Sequence, residues 1–208
     1  LEFESNKILG VEAGVSASAV RIKSCFELAI PETVDLVGNP QEAGAWLKDQ
    51  LAERQVQSTQ VLLTFPREIA VVRHIEMPDV SDEELPDLVK YQASLKSALP
   101  MDQLALDFLP LPKKAEATSR DVLITTVPRQ AIRQITVVAE AAGLEITAAG
   151  LSPVAAAEVV LRSQSGETSD EGASLIVTRH GPRVEISLLK GEHIVFSHFT
   201  QVAGEGNG

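Results

Sequence analysis

Four histidines, one cysteine and an acid-rich helix start are the residues of this 208-residue chain with the plainest chemical potential. His193 and His198 lie five positions apart in an alternating segment. A strand sends them to opposite faces, which argues against chelation by that pair. His74 and His180 have no Cys or His at ligand spacing, so no metal site is expected. Cys25 has no evident local base and reads as a small buried hydrophobe rather than a nucleophile. Glu83, Glu84 and Asp87 open a predicted helix. Their plain role there is compensation of the helix dipole, with a partner-docking face as the sharper alternative. Trp46, the sole Trp, shares helical spacing with Ala43 and Leu47 and reads as core. No aromatic platform for bases is visible.

The composition narrows the classes further. Lys and Arg number 18 against 29 Asp and Glu, a net charge of −11, and 44% of residues are hydrophobic. That describes a folding, globular chain and argues against a surface that tracks nucleic-acid phosphates. A single cysteine removes the option of an internal disulfide and suggests a reducing compartment. No apolar run reaches the roughly 18–20 residues that span a bilayer, and no basic-then-apolar leader opens the chain. The start at Leu1 and the end at Gly204-Glu205-Gly206-Asn207-Gly208 suggest a segment of something longer.

The elements that would position these residues follow from periodicity and punctuation. Ile8–Val11, Ala19–Lys23 and Cys25–Ile30 read as three short strands, with Ala13-Gly14-Val15-Ser16-Ala17-Ser18 as a small-residue turn. Asn39-Pro40-Gln41-Glu42 predicts a capped helix to about Arg54 with Ala43, Trp46, Leu47 and Leu51 inward. Val61–Phe65 predicts a central strand covered on both faces. Ile69–Ile75 reads as a strand. Ser81-Asp82-Glu83-Glu84 is a capping box for a helix to about Ala98, inside which Pro86 predicts a late or irregular start. That helix should bury Leu85, Leu88, Val89, Gln92 and Leu95. Leu104–Leu109 and Asp121–Val127 predict strands joined by a loop bearing Lys113 and Lys114. Gln130–Ala142 predicts a helix stopped by Gly143, and Leu144–Ala148 a strand. Residues 69–148 thus have the order β-α-β-β-α-β of a ferredoxin-like unit. A helix over 153–162, an acidic Ser/Gly-rich linker over 163–172 and three strands within 174–199 complete the chain. The meander at 8–30 recurs at 174–199, an incomplete internal duplication.

Two half-repeats, each opening on a meander, resemble the plan of the actin-like, ribonuclease-H-like ATPases. Ile75-Glu76-Met77-Pro78-Asp79-Val80-Ser81-Asp82-Glu83-Glu84-Leu85, then Leu99-Pro100, then Leu106-Asp107-Phe108, resembles a stretch of PilM-type pilus assembly proteins. Ala141-Ala142-Gly143-Leu144 and Gly150-Leu151-Ser152-Pro153 resemble the same family's helix end and the helix beyond it. The resemblance implies an α/β fold of mixed sheets with the ferredoxin-like module inserted and the second half truncated. The expected domains are 1–66, 67–150 for the insert, 151–172 as connecting helix and linker, and 173–208.

The resemblance also implies a cytoplasmic scaffold peripheral to the inner membrane. It would serve a type IV pilus or type II secretion-like platform and bind a PilN-type tail, with no nucleic acid and no membrane insertion of its own. Relatives often bind ATP, with Mg, between their halves. The family's first phosphate loop, D-x-G-S/T-x-x-x-K after a strand, falls on Glu12-Ala13-Gly14-Val15-Ser16-Ala17-Ser18-Ala19. Glu12, Gly14 and Ser16 are therefore the candidate nucleotide residues, with Glu in the Asp place and Ala19 in the Lys place. The second loop falls near Val177-Thr178-Arg179-His180, where Thr178 holds the acid's place and Arg179 reads as an exposed hairpin residue. Phosphoryl transfer depends on positioned metal and charge, so these departures favour a binding scaffold. The alternative is a nucleotide-binding ATPase active only in the full-length protein. No catalytic residue is assigned.

Overall fold

The computed structural model describes residues 1–16, 19–112, 117–163 and 172–202. The expected loop lysines Lys113 and Lys114, most of the acidic linker and the glycine-rich end lie outside them. The chain divides into two compact units, Leu1–Pro66 with Gln130–Ser152, and Arg67–Arg129 with Pro153–Gly208.

The first unit is built on β1 (Glu2–Phe3), β2 (Lys7–Val15), β3 (Val20–Ala29), α1 (Pro40–Glu53), β4 (Gln60–Phe65), α3 (Arg129–Ala141) and β8 (Glu145–Leu151). Its five-stranded sheet runs β3-β2-β1-β4-β8. β1, β2 and β3 are antiparallel neighbours, while β4 lies parallel to β1 and to β8. The three short strands expected between 8 and 30 are two long ones, preceded by the two-residue β1. Gly14 does not turn the chain; it sits inside β2 opposite Arg21, and a register shift after Glu12 absorbs the irregularity.

α1 and α3 supply one layer over this sheet. Ala43, Leu47 and Leu51 of α1, with Val138 and Ala139 of α3, meet Ile8, Leu28, Val61 and Leu63 of the strands. Ile8 and Leu47 are fully buried, each contributing about 1.5–3 kcal/mol of transfer free energy. Trp46 packs partly buried against this core. Gly44 marks the helix crossing: a Cβ there would lie 2.4 Å from the Ala141 Cβ and 2.7 Å from the Val138 carbonyl oxygen. β4 is central, as expected, but its burial alternates. Leu62 is 54% exposed, so within the unit only one face is covered. At the start of α1, Asn39 binds the Glu42 carboxylate side chain to side chain and makes no side-chain hydrogen bond to the helix amides. Gly143, with φ of +81°, ends α3 in the left-handed conformation expected of it.

The second unit holds β5 (Val71–Pro78), α2 (Leu85–Lys96), β6 (Leu104–Pro110), β7 (Ser119–Pro128), α4 (Ser152–Ser163), β9 (Ala173–His180), β10 (Arg183–Lys190) and β11 (His193–Gln201). β5, β7 and β6 form one antiparallel sheet in that order, and β9, β10 and β11 another. The ferredoxin-like closure expected over 69–148 is not found. Only β5-α2-β6-β7 builds its sheet; the last strand, β8, pairs with β4 instead, and α3 joins the core of the first unit. Pro86 is accommodated because α2 starts late, at Leu85, after a turn closed by the expected capping box. The Ser81 hydroxyl donates to Glu84 Oε2 at 2.9 Å, and the Glu84 N–H donates back to Ser81 Oγ at 3.3 Å. α2 buries Leu85, Val89 and Ala93 against Ile75, Met77, Val122 and Ile124. Its inward face is rotated from the expected one, leaving Leu95 62% exposed. No helix among the described residues is long and apolar enough to cross a membrane.

Candidate functional site

Glu12 sits in β2 on the side that carries Ile8 and Gly10 inward, and it is 8% exposed. Burying a carboxylate requires donors, and the segment entering β4 supplies them. The Ser58 hydroxyl donates to Glu12 Oε1 at 3.0 Å and the Gln57 N–H donates to the same atom at 3.2 Å. Lys23 Nζ lies 3.6 Å away. The Ser58 hydrogen bond, helped by the Gln57 amide and Lys23 and opposed by desolvation, holds the Glu12 carboxyl below the usual glutamate range. Lys23 is the residue that sequence reasoning missed. Alternation alone would turn it away from Glu12, which stands opposite Ser24; the register shift leaves Lys23 as the extra residue of β3 and brings it within reach, a relation no local pattern displays.

The other two candidates stand differently. Gly14 lies within β2, with Lys23 Cε at 3.7 Å from an ideal Cβ, an ordinary contact that an alanine would meet as well. Ser16 opens the β2–β3 hairpin. Its N–H and hydroxyl both donate to the Ala19 carbonyl, and its Oγ accepts the Ala19 N–H at 3.1 Å. Glu12 and Gly14 are thus strand residues rather than loop residues, and Ser16 is engaged in closing a hairpin.

Around Glu12 an open groove of about 810 Å3 runs beside β2, β3 and β4, with Leu9, Val11, Phe26 and Leu62 among its apolar walls. Phe26 fills the space over Gly10, where an added Cβ would meet its ring at 2.1 Å. Cys25, expected to be buried, is exposed on the groove. Glu12 is the acid of the groove that is tied by hydrogen bonds from the β4 approach, so its carboxylate faces the protein's own donors.

In the second unit, Thr178 and His180 lie on β9 opposite Glu185 and Arg183 of β10. Arg179 donates through Nε to the Gly181 carbonyl at 3.0 Å, which fits its reading as a hairpin residue. Glu185 stands across the ladder from Thr178, a relation set by register that no local motif displays. Glu185 is 5% exposed and accepts the Arg67 N–H at 3.0 Å. The Arg67 guanidinium donates to Ser197 Oγ and to the Ser197 carbonyl, both at 3.0 Å, and to the Ala70 carbonyl. Burial pulls the Arg67 pKa down and the Glu185 charge opposes that. Arg183 faces Glu68 at 3.5 Å.

No protein-family model matches the sequence, and no curated protein matches it. Solved structures do. A chain of a PilM-PilN type IV pilus biogenesis complex superposes with a TM-score of 0.82 at 18% identity, over 98% of this chain and 61% of that one. The cytoplasmic domain of EpsL, an inner membrane component of the type II secretion system of Vibrio cholerae, superposes with a TM-score of 0.57 at 12% identity, over 97% and 68%. A third, at a TM-score of 0.46 and 10% identity, is a Bacteroides thetaiotaomicron protein with an actin-like ATPase fold and unknown function. The likeness to the first two is one of fold. The mixed α/β class expected from the sequence is the class of this structure, and the chain spans 61% of the length of the PilM-PilN complex chain.

Proposed function

We propose that this chain is part of a cytoplasmic actin-like scaffold of an inner-membrane assembly platform of the type IV pilus or type II secretion kind, binding the cytoplasmic tail of a PilN-type membrane protein. The observation that carries the reading is the 98% coverage at a TM-score of 0.82 by a chain of a PilM-PilN complex. The site chemistry supports binding over catalysis. Glu12 is engaged by Ser58 and Gln57, and Ser16 by Ala19, so the candidate phosphate residues serve the protein's own backbone and side chains. Phosphoryl transfer needs charge and metal held at the phosphates, and the lysine beside Glu12, Lys23, is paired with that carboxylate.

Titration calorimetry of the intact protein with a synthetic cytoplasmic tail of the PilN-type protein of the same organism tests the reading. Saturable one-to-one binding is expected, with a scrambled tail inert. Equal heats from both peptides, or none from either, would overturn it.

A further inference from the structure

We propose that the cleft between the start of β5 and the end of α2 docks an extended, carboxylate-bearing segment of a partner protein. The cleft has a volume of about 120 Å3, with Val71, Ala93 and Ile124 among its apolar walls and Arg73 and Lys96 at its edge. No Asp or Glu lines it. In a chain of net charge −11 that is an uncommon environment. Several other cations are committed, Lys7 to Glu27, Lys23 to Glu12, Arg120 to Asp82 and Arg162 to Glu158, and what sets Arg73 and Lys96 apart is that they line one cleft together. Arg73 and Lys96 have no side-chain ion pair or hydrogen bond among the described residues. Lys96 complements the negative end of α2. Arg73, on a strand, has no such role.

The chemistry of the cleft specifies its occupant. A guanidinium presents a planar fork that matches a carboxylate with paired hydrogen bonds, and a neighbouring ammonium adds charge. A space of this size has room for about four waters, the scale of one aliphatic side chain. β5 is an edge strand of its sheet, so its outer backbone groups can pair with an added strand. An extended segment laid along β5 sends residues i and i+2 to the same side. The occupant is therefore an apolar residue two positions from an Asp or Glu, the apolar side chain in the cleft and the carboxylate on Arg73 and Lys96. This surface is independent of the pilus reading and stands or falls separately from it.

Selection of a random dodecapeptide display library on the intact protein tests the proposal. Enriched peptides are expected to share an apolar-x-acid pattern. A synthetic enriched peptide should shift the backbone amide resonances of residues 71–75, and its affinity should fall about tenfold with Arg73→Gln, with Lys96→Gln, or with the acid changed to its amide. Both protein variants alter exposed side chains and should keep the wild-type melting temperature; if one does not, the other carries the comparison together with the amide peptide. No enrichment, an acid-free consensus, enrichment displaced by inorganic phosphate alone, or equal affinity for the variants would overturn the proposal.

Discussion

The two meanders, β1-β2-β3 and β9-β10-β11, each place a buried glutamate on the middle strand and tie it to a segment outside the meander, but in different surroundings. Glu12 is held mainly by neutral donors, the Ser58 hydroxyl and the Gln57 amide, with a half-exposed Lys23 beside it. Glu185 accepts a backbone N–H from Arg67, whose guanidinium reaches on to Ser197, while Arg183 faces Glu68. A neutral staple tolerates change, because removing the charge leaves donors that can still find acceptors or water. Around Glu185 the charges themselves are buried, with Arg183 7% exposed and the Arg67 guanidinium partly desolvated within the influence of Glu185, so removing a cation leaves a desolvated carboxylate less compensated. The same fold position is thus robust in one unit and brittle in the other.

Breaking the brittle side should have the largest effect. Arg67→Ala is expected to cost about 3 kcal/mol, with amide exchange accelerated in β10 and β11 but not in β2 and β3; a loss confined to the first unit would contradict the contrast. Gly44→Ala loads the first unit without touching its carboxylate. The new methyl would press on Ala141 and on the Val138 carbonyl, at a cost of about 1–3 kcal/mol, read by denaturant unfolding. Gly10→Ala asks less, because its neighbour is the Phe26 side chain rather than backbone. About 1 kcal/mol and a changed Phe26 ring environment by NMR are expected; an unchanged ring signal would show that the groove is looser than described.

The smallest change is expected at Glu12, and it depends on pH. Hydrogen bonds lower its folded pKa, so its stabilising contribution is present above the unfolded value of about 4.3 and is lost as pH falls through the folded value. Glu12→Gln should therefore flatten the acid arm of the stability curve relative to the wild type. A variant with an unaltered acid arm would mean that the Ser58 and Gln57 contacts do not discriminate between protonation states.

What the sequence made legible was local. Gly143 adopts positive φ, and it was visible as a helix stop because glycine reaches that region at no steric cost. The Ser81–Glu84 box and the late start at Pro86 were legible because a side chain capping nearby amides and a missing N–H act within one helical turn. What failed was long-range pairing. β1 is two residues long, too short for any period to show. β8 follows α3 in an order that fits a ferredoxin-like unit, yet it pairs with β4, some 85 positions upstream at Gln60↔Glu145. Local order does not choose between sheets. Gly14 was misread because a small-residue run looks like a turn, whereas its ladder partner Arg21 keeps the strand extended. At the candidate site the acid was legible and its partners were not: Lys23 reaches Glu12 across a hairpin, and Ser58 reaches it from a segment 46 residues away.

The central claim is that Glu12 is a structural carboxylate rather than a phosphate ligand, and the most direct test is a paired measurement on the intact protein, wild type and Glu12→Gln. Affinity for MgATP would be read by a fluorescent analogue, and melting temperature in the same buffer. The account predicts a lowered melting temperature with nucleotide affinity, whatever its wild-type value, unchanged. Loss of nucleotide binding with the melting temperature unchanged would contradict it.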